Sequence, residues 1–247
     1  MTTKPSLSLP ANFPSLIDVS VHRPNTTLSE IKAMCETGLQ EGFNVISNSC
    51  FIPQARQFLG LDAKIKLGST VGFPFGTAST QAKAAEARIA IENGAQEIDM
   101  VIAIGFLREG IQHYSTVEKD IKAVVDAVKT AGGGVVKVII ETCYLTRDQI
   151  IDACKIVGNA GADFVKSSTG YGPAGATLEN LKLMREVTDP SVEVKAAGGI
   201  RTLAQCIEYL DLGVTRLGIG LTGALPILED YRNNVIIDRQ TQSDLDY

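Results

Sequence analysis

Short runs of apolar and β-branched residues alternate along the chain with longer stretches of helical periodicity. That alternation predicts strands followed by helices, the βα units of a parallel sheet. Eight runs read as strands: Leu16–Asp18, Phe43–Ser47, Lys66–Thr70, Glu97–Ile102, Val135–Ile140, Ala162–Lys166, Val192–Ala196 and Thr215–Gly218. Helix starts are marked between them. The segments beginning at Thr27, Ser115, Thr146 and Thr202 each carry Glu or Gln three residues on, the capping-box spacing. Gly42, Gly94, Gly161 and Gly213 stand just before strands, where a helix needs a left-handed end. Eight strands in strict alternation favour a closed α/β barrel, (β/α)8, in a single domain over an open doubly wound sheet. No G-x-G-x-x-G follows the first strand, which disfavours dinucleotide binding. The barrel is expected over residues 15–232, with a loose tail at 1–14 and a polar tail at 233–247.

Composition narrows the function. The chain has 247 residues, 45% of them hydrophobic, and a formal net charge of -5, with no long basic run. A nucleic-acid partner is therefore disfavoured, and no stretch reaches membrane-spanning length. Five scattered cysteines without a C-x-x-C read as reduced thiols, and two histidines leave no material for a histidine-rich metal site. The cytoplasm is the expected compartment.

The chemistry concentrates where strands end, since such barrels work at the C-terminal ends of their strands. Lys166 closes the sixth strand and Lys195 lies in the seventh. A lone ammonium resists desolvation, so two interior lysines at matching positions predict mutual pKa depression and a nucleophilic amine. An unperturbed lysine, with a pKa of about 10.4, is neutral in only about one molecule in a few thousand at pH 7. Alternation turns Asp99 inward if Ile98 and Met100 face the helices. Asp99 would then pair with Lys166 or Lys195, either for catalysis or as an internal ion pair. Lys137 and Glu141 read as a supporting salt bridge, and Cys143 as a small buried filler. Gly170 and Gly172, Gly198 and Gly199, and Gly218, Gly220 and Gly223 mark the last three βα loops. Their backbone N–H groups suit a phosphate, with tight turns alone as the alternative.

Four segments, Glu97–Ile102, Lys137–Thr142, Asp163–Gly170 and Val194–Thr202, together resemble deoxyribose-phosphate aldolase, a class I aldolase family. The likeness runs roughly from Ile17 to Gly223, in the family's order. It implies a Schiff base on Lys166, a supporting charge at Lys195 and proton transfer through Asp99, with no cofactor or metal. It also implies that Asp18 and Ser20 belong to the substrate pocket, and Ser47, Lys137, Ser168, Gly170, Gly198, Gly199, Gly218 and Gly220 are expected as further substrate-binding residues. The partners it implies are phosphorylated sugars and aldehydes, in a protein able to form a homo-oligomer. Three segments depart from the family pattern. Ser47 stands for a usual cysteine, Asp18-Val19-Ser20 for Asp-His-Thr, and the loop Gly218–Gly223 lacks the usual hydroxyl pair. Weakened phosphate recognition is the expected result. Some relatives use a terminal tyrosine in proton exchange, and this chain ends in Asp244-Leu245-Asp246-Tyr247. Rival readings are an aldolase with another, non-phosphorylated acceptor, a sugar-phosphate-binding barrel without catalysis, and a phosphosugar isomerase or decarboxylase.

Overall fold

A computed structural model describes residues 9–233. The strands are β1 (Ile17–Ser20), β2 (Asn44–Ser47), β3 (Leu67–Val71), β4 (Glu97–Val101), β5 (Val135–Ile139), β6 (Phe164–Lys166), β7 (Glu193–Ala197) and β8 (Arg216–Gly220). All pair in parallel with their sequence neighbours, and β8 pairs back onto β1, closing the barrel. Because all eight strands run parallel, their C-terminal ends point to the same mouth.

The helices are α1 (Leu28–Glu41), α2 (Ile52–Leu59), α3 (Thr80–Glu92), α4 (Ile104–Glu109), α5 (Tyr114–Thr130), α6 (Arg147–Asn159), α7 (Leu178–Val187), α8 (Leu203–Asp211) and α9 (Leu221–Arg232). Thr27, Thr146 and Thr202 make full capping boxes at α1, α6 and α8. The box expected at Ser115 does not form. A short 3-10 turn at Ile111–His113 leads straight into α5 at Tyr114, so Ser115 already lies inside the helix. Gly42, Gly94, Gly161 and Gly213 all have φ between 77° and 99°, the left-handed helix ends expected of them.

Alternation sorts each strand into two faces. Val19, Val45, Ile98, Met100, Val138, Val165 and Val194 join the helix-facing core and are fully buried. The opposite face carries Asp18, Asn44, Glu97, Asp99, Lys137 and Lys195, also buried. Barrels of this kind ordinarily fill the inside with branched aliphatics. Here much of it is charged.

The N-terminal end departs from the expected loose tail at its last residues. Phe13 is fully buried and its ring lies 4.9 Å from that of Tyr231 on α9, so Phe13 belongs to the barrel's packing. The expected polar tail lies outside the described residues beyond Asn233, and so does Tyr247. Among the described residues no helix is long and apolar enough to cross a membrane.

Candidate active site

Lys166 on β6 and Lys195 on β7 are partners in register, so both side chains leave the sheet on its inner face. Asp99, from β4 across the barrel, joins them. Its Oδ2 accepts from Lys166 Nζ and Lys195 Nζ, each at 2.7 Å, and its Oδ1 accepts from Lys137 Nζ at 3.0 Å. Asp18 accepts from Lys195 Nζ at 2.5 Å and from Arg216 Nη1 at 2.7 Å. Glu97 accepts from Lys137 Nζ at 2.5 Å and from Arg216 Nη1 at 3.2 Å. The Lys166 side chain is 7% exposed, and those of Lys195 and Asp99 are fully enclosed.

The cluster holds four cationic side chains, Lys137, Lys166, Lys195 and Arg216, against three carboxylates, Asp18, Glu97 and Asp99. With every group ionised, one positive charge is left over. Lys137 meets three carboxylates, Lys195 and Arg216 two each, and Lys166 only Asp99. Lys166 is the amine that can most cheaply release its proton. Burial is the main cause that brings it down to about 8, against the pull of Asp99, with repulsion from Lys195 and then Lys137 adding to the fall. About one Lys166 in ten is then neutral at pH 7, against one in a few thousand for an unperturbed lysine. Burial opposes the charge on Lys137 as well, yet Asp99, Asp18 and Glu97 hold it above its ordinary value. Burial also works against ionised Asp99, but Lys137, Lys166 and Lys195 hold it well below the usual carboxylate range.

The cavity above this floor, of about 580 Å³, is lined by Asp18, Ser20, Lys166 and Lys195. Gly170, Gly198, Gly199, Gly218 and Gly220 line it as well, with Gly218 and Gly220 in register beside Asp18 and Ser20. At Gly218 the missing side chain has a purpose: a Cβ would lie 2.9 Å from that of Ala197 and 3.2 Å from Cε of Lys195. Gly198, at φ 83°, lets the loop after β7 pass close to the backbone of Gly175.

Other expected members fall elsewhere. Ser47 is fully buried and its hydroxyl has no hydrogen-bond partner among the described residues. Asn44 reaches inward to Asp18, so Ile46 shares that face and lines the cavity, while Val45 and Ser47 point to the helices. Ser168 is likewise fully buried, without a hydrogen-bond partner for its hydroxyl, and does not line the cavity. Lys137 lies beneath the cavity floor rather than in its lining.

The Lys137–Glu141 salt bridge does not form. Four residues along a strand span ~13 Å, too far for the two heads to meet when Lys137 turns towards Glu97 and Asp99. Glu141 instead sits at φ 54° and accepts from the backbone N of Thr169 at 3.2 Å and from the Thr169 hydroxyl, gripping the loop after β6. Cys143 is half-buried and reaches towards the Glu141 carboxylate.

Sequence reading missed Glu97 and Arg216. Glu97 carries a legible signal, since it stands two residues before Asp99 and so shares its face. Arg216 opens β8 and gives no such sign, because its partners come from β1 and β4.

Lys195→Met tests the electrostatics. It removes a like charge beside Lys166 and frees Asp99 to hold the Lys166 ammonium more tightly. Both effects raise the Lys166 pKa. The acidic limb of the pH–rate profile should therefore move to higher pH by on the order of one unit. An unmoved limb with lost activity would assign Lys195 to proton transfer or geometry instead.

A closed (β/α)8 barrel with a desolvated, partly neutral lysine at its mouth is an arrangement suited to amine chemistry on a carbonyl. The sequence comparisons narrow this. Residues 16–218 match the model of the DeoC/LacD family aldolases, and the chain belongs to that family. It is 44% identical over 222 residues to the deoxyribose-phosphate aldolase of Caldanaerobacter subterraneus, covering 90% of this chain and 94% of that protein. Against the deoxyribose-phosphate aldolase of Carboxydothermus hydrogenoformans it is 45% identical over 222 residues, covering 87% and 96%. The tetrameric deoxyribose phosphate aldolase of Aeropyrum pernix superposes with a TM-score of 0.80 at 27% identity, over 90% of this chain and 92% of that one. The chain is thus an aldolase, a lyase that makes and breaks carbon–carbon bonds.

Proposed function

We propose that the protein cleaves 2-deoxy-D-ribose 5-phosphate to acetaldehyde and D-glyceraldehyde 3-phosphate through an imine on Lys166. The observation that carries this reading is the Lys166 amine, tied to one carboxylate in a cluster with one cation too many. The neutral amine attacks C1 of the open-chain sugar, and its proton passes to the carbonyl oxygen to give a carbinolamine. Water leaves and an iminium forms. Loss of the C3 hydroxyl proton then sends the C2–C3 electron pair into the iminium, releasing glyceraldehyde 3-phosphate and leaving an enamine. Protonation of the enamine carbon and hydrolysis return acetaldehyde and free Lys166. Asp99, whose Oδ2 accepts from both Lys166 Nζ and Lys195 Nζ at 2.7 Å, is suited together with Lys195 to move these protons.

The glycine-bearing loops that line the cavity suit the phosphate. Gly220 caps α9 with no side chain over the helix start, so backbone N–H groups there are open to an anion. Arg23, Arg201 and Thr222 also line this cavity. The five cysteines are free, which fits the reducing cytoplasm. The tetramer of the Aeropyrum relative supports a homo-oligomer here too.

Treatment with borohydride and acetaldehyde tests the reaction: it should add a two-carbon unit to the peptide holding Lys166. A label confined to Lys195 or Lys137, or no label, would overturn the reading. Thr222→Val tests the phosphate end. Losing one hydrogen bond to a charged group should raise KM for the sugar phosphate about tenfold and leave cleavage of unphosphorylated 2-deoxyribose as it was. Equal effects on both sugars would move the phosphate away from Thr222.

A further inference from the structure

Three rings from three loops at the C-terminal ends of the strands pack together, and one of them, Tyr171, lines the cavity that holds Lys166. His22 follows β1, Phe73 follows β3 and Tyr171 follows β6. The ring centroids of His22 and Phe73 are 4.6 Å apart, those of His22 and Tyr171 5.6 Å, and Phe73 meets Tyr171 edge-on at 5.5 Å. The cluster is fixed by polar contacts as well. The Tyr171 hydroxyl donates to the His22 carbonyl at 3.1 Å, and Asn48 Nδ2 donates to the same oxygen at 3.4 Å.

These contacts set the state of the imidazole. A carbonyl oxygen only accepts, so the single phenolic proton of Tyr171 is committed to it. The same phenolic oxygen lies 3.4 Å from Nδ1 of His22 and is left to accept there. Nδ1 therefore carries the proton, and Nε2 holds a free lone pair with no hydrogen-bond partner among the described residues. Burial, and then the Lys166 ammonium, push the His22 pKa down to about 4, which keeps the ring neutral across the working range. A neutral imidazole is a poor acid under these conditions. It is a competent hydrogen-bond acceptor.

The reading of the active site supplies the donor. A molecule joined to Lys166 through its imine occupies the cavity that Ser20 and Tyr171 line, and His22 packs against Tyr171 within reach of the Lys166 charge. We propose that His22 determines specificity by accepting, at Nε2, a hydrogen bond from a hydroxyl of the aldehyde acceptor, with Tyr171 holding the required tautomer. The protein would thereby favour α-hydroxyaldehydes over plain aliphatic aldehydes. This inference rests on the aldolase reading, and its test separates the two.

Acetaldehyde serves as donor, with glycolaldehyde or propanal as acceptor; the pair differs by a hydroxyl in place of a methyl. The intact protein should prefer glycolaldehyde in kcat/KM. In His22→Leu that preference should fall about tenfold, chiefly through the KM of glycolaldehyde, while addition to propanal and borohydride trapping of acetaldehyde stay unchanged. His22→Gln, whose amide oxygen can stand near Nε2, should recover most of the preference. Tyr171→Phe should lose part of it by releasing the tautomer. In the unaltered protein, 15N shifts of the imidazole should report a protonated Nδ1. The proposal is overturned if His22→Leu keeps the preference, if it depresses both acceptors and trapping alike, or if the proton resides on Nε2. Failure of trapping in the intact protein would instead sink the aldolase reading itself.

Discussion

Lys166→Met is expected to lose turnover by at least about 10⁴-fold while unfolding at the same temperature as the parent or a few degrees above it. The loss follows from the mechanism: no other amine in the cluster can take over. Lys195 is held by two carboxylates and Lys137 by three, whereas Lys166 meets one. Removing a residue that forms the covalent intermediate typically costs this much or more. The retained stability follows from the charge count. Without Lys166 the interior holds Lys137, Lys195 and Arg216 against Asp18, Glu97 and Asp99, and the surplus positive charge is gone. A surplus buried charge is costly, and a methionine fills similar space without it. Steady-state kinetics and a thermal melt decide both halves. A melt lowered by 10 °C would mean that the Lys166 ammonium is needed to hold Asp99, and that the lysine is not the cluster's surplus cation.

Asp99→Asn should behave oppositely on stability. The carboxylate holds three ammonium groups from β5, β6 and β7, and the amide replaces it with no charge and with one oxygen instead of two. Breaking a buried ion pair by removing one partner costs about 3–5 kcal/mol. For a chain of this size that corresponds to a melt lowered by about 10 °C. The pH dependence has a definite sign. Asp99 has a lower pKa folded than unfolded, so its contribution is complete above an unfolded value of about 3.9 and is lost as pH falls through the lower folded value. The parent should therefore lose stability in acid more steeply than Asp99→Asn. Turnover should fall by about 10²–10⁴, the usual share of proton transfer. If imine trapping at matched pH survives in the folded variant while turnover falls, Asp99 moves protons. Trapping that vanishes with turnover would make it a structural member of the ion cluster alone.

Together the two substitutions separate a surplus cation from a shared counter-ion. Both lower activity, and their opposite effects on stability tell them apart. That contrast depends on Lys166 having a single carboxylate partner, a point of geometry that no motif contains.

How far the chain could be read without its fold varies by element. All eight strands were visible because each is a run of apolar, β-branched residues closed off by a helix end, and both signals are local. The boundaries shifted by a residue or two at most at each end, with the ladder hydrogen bonds setting them. Three of the four capping boxes formed because such a box needs only residues within one turn. The one at Ser115 failed because a preceding 3-10 turn let α5 begin earlier. Lys166, Lys195 and Asp99 were legible as inward charges from alternation along single strands. Ser47 was not placed correctly, because the face of so short a strand is fixed by Asn44 reaching to Asp18 on the neighbouring strand.

The sequence by itself determined the barrel, the inward lysines and the family, since local periodicity and contiguous motifs carry all three. The tertiary structure alone decided who pairs with whom. Lys137 takes Glu97 and Asp99 rather than Glu141, and Glu141 grips Thr169 on the next loop. Arg216 reaches Asp18 across 198 positions of sequence, and His22 meets Tyr171 across 149. Closing the barrel brings the first strand beside the last and encloses their charges together. A lysine's proton affinity depends on every charge and every water within a few ångströms, and only closure fixes those neighbours.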